Sequence, residues 1–111
     1  MVNYFGMAGN DETAGKILNI VRNTPLNIEN YLTSSVKATP FTDVFSDSTY
    51  SGGHGERTFV NNIGAAWDYT AEHLGNSFFN SQIVCFGGTA LVPQIHDNLT
   101  GLLIKAKITI V

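Results

Sequence analysis

The sequence predicts an α/β fold with a few parallel strands, crossover helices and an inserted β-hairpin. Three observations predict it. An apolar run at residues 2–7 leads into an amphipathic pattern at residues 12–22, which is the strand-then-helix order of a βαβ unit. A second apolar run at residues 83–86 leads through two glycines to a helical pattern that Pro93 begins. Between these two parts lie two strand-like runs that a glycine-rich tip connects.

The N-terminal part has the pattern of a strand, a helix and a second extended piece. Residues 2–7 are short and mostly apolar, as in a buried strand. Asp11 can cap the following helix, because its carboxylate can accept hydrogen bonds from first-turn N–H groups. The apolar positions of that helix recur at helical spacing: Ala14, Ile17, Leu18 and Val21. Pro25 follows its end, and residues 28–32 are a weaker strand candidate.

The hairpin comprises residues 39–47 and 57–62, with its tip at residues 48–55. Alternate side chains in a strand share a face, so Arg57, Phe59 and Asn61 point to one side, opposite to their neighbours in sequence. Neither face alternates cleanly between apolar and polar residues. Two interpretations stay open: a cover over a polar small molecule, or an edge hairpin whose polar groups meet water.

The C-terminal part predicts short helices between strands. Thr70 and Gly75 bound one helical turn, and residues 76–80 form a second short piece with Phe78 and Phe79 turned inward. Residues 83–86 predict a central parallel strand. The helix that Pro93 begins has a predicted apolar face made of Ile95, Leu99, Leu102 and Leu103. Residues 108–111 predict a closing parallel strand.

Composition limits the function classes. The chain has 111 residues, a net charge of −3 and 14% charged residues. The Lys and Arg residues do not cluster, so nucleic-acid binding is not predicted. No apolar run is long enough for a membrane span. Cys85, the only cysteine, lies in an apolar run and is expected to be a buried, unreactive thiol. These features are typical of a cytoplasmic protein.

The sequence lacks several motifs that are typical of catalytic and metal-binding sites. The sequence has no P-loop, and its histidines, His54, His73 and His96, lack the spacing of metal ligands. Thr89 and Ser81 have no base next to them in sequence that would indicate a nucleophilic triad. The carboxylates that flank the hairpin are Asp43, Asp47 and Glu56. We expect them to be exposed turn residues.

The order of these pieces resembles the ribokinase-like, or PfkB, carbohydrate kinase family. The matching segments are Tyr4-Phe5-Gly6-Met7-Ala8-Gly9-Asn10-Asp11 with Gly15, Thr39-Pro40-Phe41-Thr42-Asp43-Val44, Gly55-Glu56-Arg57-Thr58-Phe59 and Gly64-Ala65-Ala66. The match covers residues 1–111 as a single partial domain, with the lid hairpin at about 39–62. It spans about a third of what such a kinase needs. The resemblance therefore implies a partial ribokinase-like fold.

The resemblance implies a role for the hairpin as a lid over a sugar. In that family the lid excludes water and orients the hydroxyl that attacks the γ-phosphoryl group of ATP. Carried over by position, Thr42, Val44, Phe59 and Asn61 are the sugar-facing residues. Arg57 would contact a charged substituent or, alternatively, pair with Glu56 or Asp43 at the surface. Gly9, Asp11 and Gly15 match a pattern that is mainly structural.

The sequence departs from the family pattern in what it lacks. The strand with a sugar-binding acid, the segment with the catalytic base and the nucleotide site have no counterpart. The intact family uses ATP and Mg²⁺, but no cofactor is expected for this chain alone. A glycine-containing turn before Ile108 is also missing. The first hypothesis is therefore a fragment of an ATP-dependent sugar kinase that is inactive by itself.

Two alternatives remain from the sequence. The chain could be a small non-catalytic α/β module that binds or dimerises through the hairpin, since lids of this family often pair between subunits and a hairpin edge has unpaired backbone groups. It could also be a decayed gene product, for which the missing turn before Ile108 is the support. The expected partners are a sugar, for the intact kinase, and a second copy of the chain.

Overall fold

A computed structural model describes residues 1–53 and 55–109. Its strands are β1 (Val2–Asn3), β2 (Gly6–Gly9), β3 (Leu26–Asn27), β4 (Tyr31–Ser34), β5 (Phe41–Ser46) and β6 (Arg57–Asn62). Its α-helices are α1 (Glu12–Val21), α2 (Gly75–Phe79), α3 (Pro93–Asp97) and α4 (Leu99–Thr109). Within these residues, no helix combines the length and the apolar character that a membrane crossing requires.

The predicted strand–helix–strand unit is confirmed. β2 and β4 pair in parallel with Gly6 opposite Tyr31, and α1 connects them. The Asp11 side chain accepts a hydrogen bond from the Ala14 N–H at 2.9 Å, which caps α1 as predicted. The predicted first strand is divided in two, because Val2–Asn3 pairs with β3 while the next strand pairs with β4. The first of these pieces is exposed rather than buried.

The predicted hairpin is also confirmed. β5 and β6 form an antiparallel pair in which Thr42 lies opposite Asn61 and Val44 lies opposite Phe59. Every residue of both strands is exposed. The hairpin therefore projects from the rest of the chain, and it covers none of the core.

The core lies in the C-terminal half. Its buried residues are Tyr69, Leu74, Phe79, Ile95, Leu102 and Ala106. Phe79 is buried and Phe78 is half-buried, which confirms that both rings turn inward from α2. Of the predicted apolar helix face, Ile95 and Leu102 are buried, whereas Leu103 is 50% exposed. The helix is interrupted at Asn98, whose side chain donates to the Gln94 carbonyl at 2.8 Å, so α3 and α4 are separate helices.

The predicted central strand at residues 83–86 was wrong. These residues belong to no strand, and Ile83 is 80% exposed. A parallel strand needs neighbours that bond its N–H and C=O groups, and no strand in the described residues lies beside it. The prediction of a buried Cys85 was wrong for the same reason, since this thiol is exposed.

The prediction of a closing strand was wrong for residues 108 and 109, the part of it that the structure describes. Helix α4 continues through Ile108 to Thr109, and residues 110–111 lie outside the described residues. The segment Lys105-Ala106-Lys107 consists of strong helix formers with no glycine or proline after it. Because nothing stops the helix there, it continues into the β-branched residues. The turn that the sequence lacks is thus absent from the described backbone too.

Candidate functional site

The five predicted sugar-facing residues lie on one face of the hairpin. Residues directly opposite each other in an antiparallel pair point to the same side. Thr42 opposes Asn61, Val44 opposes Phe59 and Ser46 opposes Arg57. The register therefore gathers the five side chains on one surface, which we call the inner face: Thr42, Val44, Arg57, Phe59 and Asn61. The other surface, the outer face, consists of Phe41, Asp43, Phe45, Thr58, Val60 and Asn62.

The inner face combines hydrogen-bonding groups with apolar surface. The Thr42 hydroxyl donates to the Asn61 carbonyl oxygen Oδ1 at 2.6 Å. This bond leaves the Asn61 Nδ2 group facing solvent, with no partner within the described part of the chain. Val44 and Phe59 are 52% and 55% exposed. A polar molecule with apolar C–H groups could therefore contact both kinds of surface here.

Arg57 has no carboxylate partner among the residues that the structure describes. The ion pairs of the described residues are Lys16 with Glu12 and Lys37 with Asp68. The alternative in which Arg57 pairs with Glu56 or Asp43 is therefore not observed. The guanidinium lies at the tip end of the inner face, opposite Ser46, where it could meet an anionic group.

The base of the hairpin is fixed by a network around Asp11. The Thr39 N–H donates to Asp11 Oδ2 at 2.8 Å, and the Thr39 hydroxyl donates to Oδ1 at 2.6 Å. The same hydroxyl accepts from the Gly9 N–H at 3.0 Å. The Thr39 hydroxyl contributes most, followed by the Thr39 N–H and the Ala14 N–H. Together these donors hold the pKa of the Asp11 carboxyl below its ordinary value. The cap of α1 therefore also positions Thr39, two residues before β5 begins.

Two glycines let the backbone approach closely at this base. A Cβ on Gly9 would lie 2.4 Å from the Thr39 N atom, and a Cβ on Gly64 would lie 2.3 Å from the Ala38 carbonyl oxygen. Gly64 also has φ of +49°, a value that favours glycine. The Ala65 N–H donates to the Ala38 carbonyl at 2.8 Å. The backbone just before β5 and the backbone just after β6 are thus joined by this hydrogen bond.

An apolar cavity of about 330 Å³ lies beside the hairpin base. Its lining includes Met7, Pro40, Ala66 and Phe86, but none of the five inner-face residues. Tyr69 also lines it, is 4% exposed, and has a hydroxyl with no hydrogen-bond partner in the described chain. Burial raises the pKa of Tyr69 to about 12. The structure thus separates the polar inner face from this apolar cavity.

The three hairpin carboxylates are exposed, as predicted, but Asp43 lies within β5 rather than in the turn. The Asp47 carboxylate accepts from the Thr49 N–H at 2.9 Å and from its hydroxyl at 2.6 Å. The Thr49 hydroxyl is the main cause that lowers the Asp47 pKa. No three His, Cys, Asp or Glu side chains of the described residues come together as a metal site would require. His54 lies outside the described residues.

Sequence reasoning missed two features of this region. It identified Asp11 as a helix cap but not as the partner of Thr39, because 28 residues separate the two and neither belongs to a recognisable spacing motif. It also missed the buried Tyr69 hydroxyl. No signal in the sequence indicates that burial, since the cavity that Tyr69 lines is formed by segments far apart in sequence.

Comparison with solved structures identifies the fold. Fructokinase from Xylella fastidiosa superposes with a TM-score of 0.71 at 20% identity, over 97% of this chain and 33% of that chain. Ribokinase from Giardia lamblia gives a TM-score of 0.64 at 16% identity, over 96% of this chain and 31% of that one. No protein-family model and no curated protein sequence matches. The chain therefore has a partial ribokinase-like fold, and it spans about a third of the length of these structures.

Proposed function

We propose that this chain is the lid-bearing part of a sugar kinase and that the inner face of the hairpin contacts the sugar. The observation that carries the proposal is the register that places Thr42, Val44, Arg57, Phe59 and Asn61 on one exposed face. The partial ribokinase-like fold supports it, as do the names of the similar structures, a fructokinase and a ribokinase.

The chemistry of the inner face suits a sugar. Asn61 Nδ2 can donate to a sugar hydroxyl, while the Thr42–Asn61 hydrogen bond fixes the orientation of the amide. The Phe59 ring offers an apolar surface to the C–H face of the sugar. Arg57 would bind a carboxylate or phosphate substituent through its planar fork. The anchor at Asp11 and Thr39 would hold this surface in a fixed position relative to β2.

Phosphoryl transfer needs groups that this proposal does not assign to the chain. In an intact kinase of this kind, ATP and Mg²⁺ supply the phosphoryl group and its charge neutralisation. The described carboxylates do not gather into a metal site, and Asp47 is engaged by Thr49. We therefore place ATP and Mg²⁺ binding in other parts of a complete enzyme. We expect that enzyme to act in the cytoplasm. The chain alone would show no sugar-dependent ATP turnover.

Two matched variants test the sugar contact. Asn61 and Asn62 are adjacent exposed residues on opposite hairpin faces, so Asn61→Ala and Asn62→Ala make the same chemical change on the inner and outer face. Amide chemical shifts of the chain would be followed during titration with ribose, fructose and their phosphates. We expect a Kd on the order of 1 mM. Asn61→Ala should weaken binding about 2- to 10-fold, as for one hydrogen bond.

The control variant Asn62→Ala should bind like the unmodified chain. Equal weakening by both variants would place the sugar elsewhere and contradict the proposal. So would shifts confined to residues outside the hairpin. Phosphorylated sugars should bind more tightly than the parent sugars if Arg57 contributes, and Arg57→Met should remove that difference.

A second candidate function is dimerisation through the outer face. Phe41, Phe45 and Val60 are 51%, 61% and 54% exposed on that face, and large apolar side chains exposed together are typical of an interaction surface. A second copy could cover them by packing outer face against outer face. Sedimentation should then show a discrete dimer that Phe45→Asp dissociates, while Phe59→Asp on the inner face leaves it intact. A monomer at high concentration would exclude this candidate.

A further inference from the structure

The base end of the inner face carries a hydrogen-bonded pair of polar side chains. Thr42 and Asn61 lie directly opposite each other in the ladder, and the Thr42 hydroxyl donates to Asn61 Oδ1 at 2.6 Å. A threonine hydroxyl has one proton and two lone pairs, and a carboxamide has an accepting oxygen and two N–H donors. The bond uses the hydroxyl proton. The groups left for a ligand are therefore a lone pair on Thr42 Oγ1 and the N–H groups of Asn61 Nδ2.

These two groups have opposite hydrogen-bonding characters. Thr42 Oγ1 accepts while its proton is held by Asn61, and Asn61 Nδ2 donates. Hydrogen bonds in a chain polarise one another. Donation by Thr42 thus makes its oxygen a stronger acceptor, and acceptance by Asn61 makes its N–H groups stronger donors. The pair offers a strengthened acceptor next to a strengthened donor.

The surroundings of the pair favour an uncharged ligand group. The charged side chain of the inner face is Arg57, four residues from Asn61 along β6, and four residues of a strand span about 13 Å. Val44 and Phe59, which oppose each other, lie between them on the same face. A ligand whose anionic group binds Arg57 would therefore bring its uncharged part to the base end.

The pair also lies at the fixed end of the hairpin. Asp11 binds both the N–H and the hydroxyl of Thr39, three residues before the pair in β5. The Ala38 carbonyl accepts from the N–H of Ala65, four residues after the pair in β6. Every residue of both strands is exposed, so these anchors rather than core contacts hold the hairpin. The pair is therefore the most firmly held part of the inner face.

We propose that the Thr42–Asn61 pair binds a vicinal diol of the sugar, in which one hydroxyl donates to Thr42 Oγ1 and its neighbour accepts from Asn61 Nδ2. Two adjacent hydroxyls satisfy both groups, whereas a keto or carboxylate group, which only accepts, satisfies Asn61 alone. Thr42 is then also a positioning residue, because its proton sets which atom of the amide faces the ligand. This inference rests on the proposed function and names the part of the sugar that the site selects.

Deoxy sugars test the diol directly. Methyl β-ribofuranoside has a single vicinal diol, at carbons 2 and 3, and a separate hydroxyl at carbon 5. Titrations followed by the amide shifts of the hairpin would compare it with its 2-deoxy, 3-deoxy and 5-deoxy analogues. We expect the 2-deoxy and 3-deoxy analogues to bind about 2- to 10-fold more weakly, as for one lost hydrogen bond, and the 5-deoxy analogue to bind within about twofold of the parent.

Three variants separate recognition of the diol from a structural role. Thr42→Val keeps the shape of the side chain but removes the hydroxyl, so the difference between the parent sugar and its 2-deoxy and 3-deoxy analogues should disappear. Thr42→Ser restores the hydroxyl and should retain the difference. Thr58→Val makes the same change on the outer face and should behave like the unmodified chain. If Thr42 only stabilised the hairpin, Thr42→Val would weaken all four sugars by one factor and leave their ratios unchanged.

Failure of this inference differs from failure of the proposed function. If ribose, fructose and the riboside all leave the inner-face amides unshifted, the proposed function is wrong and the diol site with it. If ribose or fructose shifts them but the riboside does not, the diol inference alone is overturned. The same conclusion follows if the 2-deoxy and 3-deoxy analogues bind like the riboside, or if Thr42→Val keeps the difference between them.

Discussion

The Asp11 carboxylate binds Thr39 at two points, its backbone N–H at 2.8 Å and its hydroxyl at 2.6 Å. The same carboxylate caps α1 through the Ala14 N–H. One side chain thus fixes the start of a helix and the base of the hairpin that follows 28 residues later. Any change at this point should alter the stability of the βαβ unit and the position of the inner face together.

Thr39→Val tests how much this link stabilises the fold. Thr39 is 4% exposed, and its hydroxyl both donates to Asp11 and accepts from the Gly9 N–H. The valine removes both bonds and leaves a buried N–H unpaired, so we expect the free energy of unfolding to fall by about 1–3 kcal/mol. Urea denaturation measures it. Thr58→Val, at an exposed hairpin position, is the control and should change stability by less than about 0.5 kcal/mol.

The link should also make stability depend on pH. The Asp11 pKa is lowered below 3.8 in the folded chain, chiefly by the Thr39 hydroxyl. A lowered folded pKa means that the contribution is present above the unfolded value and is lost as pH falls through the folded value. We expect the urea midpoint to decline below pH 3.8 more steeply in the unmodified chain than in Asp11→Asn. Parallel curves for the two proteins would contradict this account.

Gly9→Ala and Gly15→Ala should have opposite effects. A Cβ at Gly9 would meet the Thr39 N atom at 2.4 Å and the Lys37 carbonyl oxygen at 2.6 Å. Because these are backbone atoms, we expect a loss of about 1–3 kcal/mol. Gly15 lies within α1 with open space around it, so alanine there should add about 1 kcal/mol through helix propensity. Thermal unfolding measures the stability of both variants. If Gly9→Ala and Gly15→Ala both lose stability, crowding at Gly9 is not the reason for its loss.

Local patterns in the sequence predicted the elements that depend on local chemistry. The cap at Asp11, the helix of residues 12–22 and the hairpin all follow from capping geometry, apolar spacing and turn residues within a few positions. The inner face follows as well, since strand alternation fixes which of Arg57, Phe59 and Asn61 point together. The fold class was recoverable because the order of these elements is itself a pattern.

The incorrect predictions concern strands that need partners. Residues 83–86 have the composition of an inner strand, but pairing depends on a neighbour that composition does not reveal. Residues 108–109 are β-branched, yet they continue α4 because the preceding residues favour a helix, and they pair with none of the described strands. Thr39 and Tyr69 were missed because their roles depend on contacts between segments far apart in sequence.

Tyr69→Phe should stabilise the chain, against the usual effect of removing a hydroxyl. The Tyr69 hydroxyl is buried and has no hydrogen-bond partner in the described residues, so its desolvation is not offset, and the variant should gain about 1 kcal/mol. Burial raises the Tyr69 pKa from 10.0 to about 12. A raised pKa means that the contribution of the neutral form is complete below pH 10 and is lost as pH rises towards 12.

The dependence of stability on pH above neutrality tests the prediction for Tyr69→Phe. Urea midpoints between pH 9 and pH 12 should fall less in Tyr69→Phe than in the unmodified chain, because the unfolded variant has one phenol fewer to ionise. Tyr50→Phe is the matched control, since Tyr50 is 56% exposed and should leave the alkaline decline unchanged. If Tyr69→Phe instead lowers stability at neutral pH, the hydroxyl has a hydrogen-bond partner in solution, which contradicts this prediction.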